Sequence, residues 1–173
     1  MSETWKLEPL LGVGPLRFGM SRDEVASLAS ILGPIYAEFS QSDPDNGPVL
    51  QQARDLESPV LYFRNNRLKG IQLDSHTKFN ITFNGVSVFS NPSRDVLIAF
   101  ENANGEALYG LGAVLFSKLS VSTNGFVTGL DQENSPQFWE QSSDKPPKVV
   151  NVEMQNAYDA YLSKYQSITF KAK

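Results

Sequence analysis

Apolar and polar positions change rhythm several times along this chain, most legibly in GVGPLRFGMSRDEVASLASILGP, from Gly12 to Pro34. Leu16 and Phe18 alternate with Pro15 and Arg17, the period of a short edge strand with proline at its start. Val25, Leu28, Ala29 and Leu32 then recur at i, i+3, i+4, i+7 and predict a helix with one buried face. Ser21 is placed as its N-cap and Glu24 closes a capping box, with Met20 and Val25 set as a hydrophobic staple. Gly33 supplies a left-handed end and Pro34 forbids continuation.

Around this unit the remaining rhythm is mostly that of strands. Residues 1–11 read as a lead-in whose Trp5, Leu7, Leu10 and Leu11 cover an edge of the core. After the helix, Ile35, Ala37 and Phe39 share one face of a strand, and SQSDPDNGP is a loop of turn formers. Strands are expected near Val60–Arg64, Leu68–Leu73 and Phe79–Phe83, with Asn65-Asn66 and Asn84-Gly85 as hairpin turns. Val86–Phe89 completes the second hairpin. A second helix presents Val96, Leu97 and Phe100 inward, starting at Ser93 or at Asn91-Pro92.

Further strands are expected near Ala107–Tyr109, Val114–Phe116 and Leu119–Ser122, then an Asn124-Gly125 turn into Phe126–Leu130. Residues 131–148 are polar, contain three prolines and keep no period, so they read as a long loop or a helical turn around Pro136–Gln141. Val149, Val150 and Val152 mark a strand. Asn156–Tyr165 reads as a helix with Tyr158, Tyr161, Leu162 and Tyr165 inward. Ser167–Phe170 is expected as a last edge strand, with Lys171 and Lys173 in solvent.

The opening pattern recurs downstream. GVSVFSNPSRDVLIAFENANG lies on GPLRFGMSRDEVASLASILG with one insertion near Pro92, matching Gly85 to Gly14, Phe89 to Phe18, Ser93-Arg94-Asp95 to Ser21-Arg22-Asp23 and Gly105 to Gly33. Two organisations fit: a tandem strand-helix-sheet module, or a single domain with coincidental local similarity. Both give an α+β fold with helices packed on an antiparallel sheet. In the tandem reading, residues 1–84 and 85–173 are two modules sharing one continuous sheet and core.

The run GPLRFGMSRDEVASL resembles the opening of a broad group of small bacterial α+β proteins, some beta-lactamase-inhibitor-like and some toxin-immunity proteins. Gly19, Met20, Ser21, Glu24 and Val25 carry the resemblance and Gly33 ends it, covering about the first fifth of the chain. The resemblance implies a strand leading through Gly-Met-Ser into a helix and a small antiparallel sheet, often in tandem. It implies no catalytic residue.

Composition narrows the chemistry. With 173 residues and a 40% hydrophobic fraction the chain can build its own core. Cysteine is absent, so no disulfide or thiolate chemistry is expected, which fits a reducing compartment. The first residues lack a basic, then apolar, leader pattern and no stretch is long enough to span a bilayer, so the reading is cytoplasmic with no membrane association. A net charge of -4 with scattered basic residues argues against nucleic acid.

No metal, cofactor or catalytic constellation is expected. The sole histidine, His76, sits in DSHTK and reads as a surface turn residue. Asp43, Asp45 and Asn46 do not complete a calcium loop. Gly12-Val13-Gly14 and Gly110-Leu111-Gly112 do not form a dinucleotide fingerprint.

What remains is surface recognition. Phe138 and Trp139 beside Glu140, with Asp131 and Glu133 nearby, combine aromatic anchors with charge, as a compact protein interface needs. The leading expectation is a non-enzymatic immunity or inhibitor-like protein that occludes a cognate toxin or effector, with Asp131, Glu133, Phe138, Trp139 and Glu140 as binding residues. A structural or regulatory adaptor, and a small ligand-binding domain or enzyme whose site forms only in three dimensions, are the alternatives.

Overall fold

A computed structural model describes residues 2–140 and 144–172. The first strand, β1 (Thr4–Glu8), buries Trp5 and Leu7 and is followed by β2 (Gly12–Val13) and β3 (Leu16–Arg17). The lead-in is therefore a strand, and Leu10 and Leu11 are exposed at its turn instead of covering the core.

The helix after β3 starts as its sequence dictates. Ser21 Oγ accepts from the Glu24 N–H at 3.1 Å, and Glu24 Oε2 accepts from the Ser21 N–H at 2.6 Å. It then divides into α1 (Arg22–Ala26) and α2 (Ala29–Leu32). Ser27 Oγ donates back to the Glu24 carbonyl at 2.6 Å, a local bond that competes with regular helix. The break rotates Ala29 into solvent, while Val25 and Leu32 stay buried. Gly33 ends the segment at φ 77 and ψ 176, a positive-φ extended conformation rather than the expected left-handed helical one.

Four strands then run as a meander: β4 (Ala37–Gln41), β5 (Val49–Ala53), β6 (Val60–Arg64) and β7 (Arg67–Asp74). The Asn65-Asn66 turn between β6 and β7 takes positive φ at both residues, as the sequence predicts. Strand β5, VLQQA, was not expected because its two adjacent glutamines erase the alternation. The face that Ile35, Ala37 and Phe39 were expected to share is largely open to solvent: Ile35 and Phe39 are 46% and 55% exposed.

The chain continues through β8 (Asn80–Phe83), the Asn84-Gly85 turn and a short β9 (Val86–Ser87) into α3 (Ser93–Asn104). Strands β10 (Ala107–Gly110), β11 (Ala113–Phe116) and β12 (Val121–Asn124) follow. The Asn124-Gly125 turn makes no hairpin with β12. At Gly125 a Cβ would collide with the Pro147 carbonyl, and this close passage leads the chain out of the sheet.

Beyond it, β13 (Val127–Leu130) pairs with β14 (Pro136–Phe138) as a separate hairpin where a loop or helical turn was expected; Gln141 lies outside the described residues. Strand β15 (Val149–Glu153) returns to the main sheet. The expected helix at Asn156–Tyr165 is a 3₁₀ segment, Asp159–Lys164, in which Tyr161 and Leu162 are exposed. Last comes β16 (Gln166–Ile168), an edge strand as predicted; Lys171 is exposed, and Lys173 lies outside the described residues.

These strands form an α+β architecture dominated by sheet. The long sheet has nine strands in the order β16-β10-β11-β12-β15-β7-β6-β5-β4, with every neighbour pair antiparallel. A smaller sheet, β3-β2-β1-β8-β9, contains one parallel pair, β1 with β8.

Residues paired in register share a face, so burial assigns each face of the long sheet. Leu61, Ile71, Val152 and Val121 stand side by side across four strands on the face that packs on the helices. Val25, Leu32, Val96, Leu97 and Phe100 meet them from α1, α2 and α3, and the smaller sheet adds Trp5, Ile81 and Phe83. Phe100 is sandwiched between the rings of Phe83 and Phe116, at centroid distances of 4.4 and 5.2 Å.

Candidate protein-binding surface

The five acidic and aromatic residues singled out in the sequence fall on or beside the β13–β14 hairpin, where most have internal work. Asp131 Oδ1 accepts from the N–H groups of Glu133 and Ser135 at 2.9 and 2.8 Å, closing the hairpin turn. Phe138 is half-buried, packs on the core and lies 6.2 Å from the Phe170 ring. Trp139 is half-buried and Glu133 is exposed.

Glu140 reaches away from the hairpin to the start of α3. The residue preceding that helix, Pro92, offers no side-chain cap, and Glu140 Oε1 instead accepts from the buried Ser93 N–H at 2.6 Å. Lys148 Nζ stands 3.5 Å from the same oxygen. Burial alone would raise this carboxyl's pKa, but contact with Ser93 and the charge of Lys148 hold it below the usual value. A capping carboxylate supplied from a remote hairpin leaves no local sequence pattern.

His76 lies in a turn with its side chain 61% exposed and Nδ1 3.2 Å from Asp74 Oδ1. The same Asp74 oxygen accepts from the His76 N–H at 2.7 Å, an ordinary turn bond. Among the described residues no group of three or more His, Asp or Glu is placed to hold a metal ion. Two clefts are notable. One of about 370 Å³ is bordered by Ser75, Lys78, Asn80 and Ser90, and one of about 230 Å³ by Arg94, Ser135, Thr169 and Lys171. Neither brings His76 together with a pair of carboxylates.

The long sheet also has an outer face, turned away from the helices. Register places Phe39, Gln51 and Tyr62 in one row across β4, β5 and β6. It places Val60, Gln72 and Asn151 in the next, across β6, β7 and β15. These side chains are half-buried, apart from the exposed Phe39. Tyr62 donates to Gln72 Oε1 at 2.7 Å, and Lys69 Nζ bonds Glu153 Oε2 at 3.1 Å. Burial, and secondarily the nearby Glu153 charge, raise the Tyr62 phenol, so it stays a neutral donor at neutral pH.

The same face is closed over β10, β11 and β12. There the segment after β15 crosses the strands: Tyr158 Oη lies 3.0 Å from Ser122 Oγ, and Gly110 has no room for a Cβ beneath Lys164 and Tyr165. Leu115, on this covered half, is fully buried outside the main core. At the opposite end Arg64 Nη2 bonds Asp43 Oδ2 at 2.6 Å, fastening the 42–48 loop at the rim.

The open half therefore presents rings, amides and compensated charges held on paired strands, an arrangement suited to hydrogen bonding and ring burial against a protein. Sequence reading did not find these residues, although the β6 alternation of Leu61 and Phe63 against Val60, Tyr62 and Arg64 carried the signal. No helix among the described residues is long and apolar enough to cross a membrane. A comparison with family models finds none that matches this chain, and no curated protein or solved structure matches it.

Proposed function

We propose that this chain is a non-enzymatic, immunity- or inhibitor-like protein of the cytoplasm that binds a toxin or effector protein and occludes its working surface. The observation that carries this reading is the uncovered half of the long sheet's outer face. There Phe39, Gln51, Tyr62, Gln72 and Asn151 form adjoining rows. Paired strands fix these side chains before binding, which lowers the entropy cost of association. The net charge of -4 favours encounter with a basic partner.

The strand order also supports the finer proposal that the chain is a tandem of strand-helix-sheet modules. α1 and α2 lead into β4, β5, β6 and β7, α3 leads into β10, β11, β12 and β15, and the two sets meet at the β7–β15 pair. In this reading the loop to Glu140 and the hairpin it ends are an insertion between β12 and β15.

The test is co-purification of the full chain with the product of the neighbouring gene. Wild type is compared with a Tyr62→Ala, Gln72→Ala double variant and with a Phe138→Ala, Trp139→Ala double variant. The expected result is a stoichiometric complex lost in the first variant at unchanged circular dichroism. Retention of the complex by the Tyr62 and Gln72 variant, with loss in a folded Phe138 and Trp139 variant, moves the interface to the hairpin. Absence of any stoichiometric complex in wild type sinks the proposal.

A further inference from the structure

The long sheet ends on one side in β4, and this edge differs from the other edges of the two larger sheets. Strands β3 and β9 are two residues long and β16 is three, whereas β4 runs for five. An edge strand leaves alternate N–H and C=O groups without ladder partners, a template for pairing with another chain. Lysine, proline or a bulge commonly guards such an edge. AEFSQ carries no Lys or Pro and pairs with β5 without a register shift.

The one charge in β4 is already compensated. Glu38 lies on the helix side, where its Oε1 accepts from Arg22 Nη2 at 2.8 Å and Gln52 Nε2 at 2.9 Å. Apolar side chains are meanwhile exposed about the edge: Phe39 at 55%, Tyr36 at 86% and Ile35 at 46%. Leu56, just past the end of β5 that pairs with the start of β4, is 83% exposed.

We propose that β4 pairs antiparallel with β4 of a second copy of this chain, about a two-fold axis at Phe39, joining two long sheets edge to edge. The strand is complementary to itself in that register. Phe39 meets its own copy, Glu38 lies opposite Ser40, Ala37 opposite Gln41 and Tyr36 opposite Ser42, so no like charges face each other. Moving the axis to Glu38 would set two carboxylates face to face, and moving it to Ser40 would lose the ring pair. The two-fold closes the assembly, because each copy contributes the same edge.

Sedimentation velocity of the full chain over a concentration series tests this. A reversible monomer–dimer equilibrium is expected in wild type. Phe39→Lys should raise the dissociation constant about tenfold or more by setting like charges on the axis. Ser40 is the register probe: Ser40→Glu opposes Glu38 and should weaken the dimer, whereas Ser40→Lys pairs with Glu38 and should maintain or tighten it.

Both positions are exposed, and circular dichroism checks that each variant is folded. A chain that stays monomeric into the millimolar range overturns the proposal. So does a dimer indifferent to Phe39→Lys, or one that responds alike to Ser40→Glu and Ser40→Lys. Phe39 belongs to both surfaces, but the Tyr62 and Gln72 variant leaves β4 unchanged and Ser40 lies on the opposite face from the partner-binding rows, so these two probes let the dimer and the partner-binding face succeed or fail separately.

Discussion

Replacing Glu140 separates a structural carboxylate from a binding one. Helix α3 begins without a side-chain cap of its own, and the Ser93 N–H, on a residue with no solvent exposure, donates to Glu140 at 2.6 Å. Removing a helix N-cap costs about 1 kcal/mol, within a range of about 0.5–2. Loss of the negative charge near the positive end of the helix dipole adds about 0.3–1 kcal/mol. The Lys148 pair adds little, at most about 1 kcal/mol, because a third of the Glu140 side chain is exposed.

Glu140→Ala should therefore destabilise the fold by about 2 kcal/mol. For a chain of this size that lowers the melting temperature by about 4–8 °C. Glu140→Gln keeps an acceptor and should lose about half as much. Urea unfolding followed by far-ultraviolet circular dichroism reads both.

The pH dependence has a fixed sign. The folded-state pKa of Glu140 is held below its ordinary value of 4.5, so its stabilisation is present above that value. It is lost as pH falls through the lower, folded-state value. The gap between wild type and Glu140→Gln should close on acidification. An unfolding midpoint for Glu140→Ala equal to wild type at neutral pH would show that α3 does not depend on this cap.

Two further outcomes follow from the packing and from the exposed turn. Phe100→Ala removes the ring stacked between Phe83 and Phe116, and should cost about 3–5 kcal/mol in the same urea assay. His76→Ala removes only an exposed turn contact with Asp74; it should change stability by less than about 0.5 kcal/mol and leave partner capture intact. A folded His76→Ala chain that loses capture would bring that turn into the interface.

Much of what depended on neighbours in sequence was legible, although the local Ser27 bond to the Glu24 carbonyl, which divides the first helix, was not. The capping box between Ser21 and Glu24 needs atoms only three positions apart, and the Asn65-Asn66 and Asn84-Gly85 turns need residues that tolerate positive φ. The other missed features are non-local. Strand β5 exists because β4 and β6 flank it, the β13–β14 hairpin stands outside the long sheet, and the cap of α3 arrives from 47 residues away. The candidate site divides the same way: Phe138, Trp139 and Glu140 stood out as a local cluster, whereas Phe39, Gln51, Tyr62, Gln72 and Asn151 become neighbours only through strand pairing.

Alternation within a strand assigns a side chain to one of two faces, but it does not say which faces the chain will later cover. Leu115 and Phe39 both point away from the helices, one in β11 and one in β4. Leu115 is fully buried and Phe39 is 55% exposed. The difference is the path of the segment after β15, which is anchored by Tyr158 at Ser122 and pressed on Gly110, and so closes the outer face over β10, β11 and β12. Burial of Tyr158 also raises its phenol above the ordinary range, so the anchoring hydroxyl stays neutral where an ionised one would oppose closure. The open surface is thus defined by where a remote segment stops, and the pairing of β7 with β15 extends that surface across both halves of the sequence.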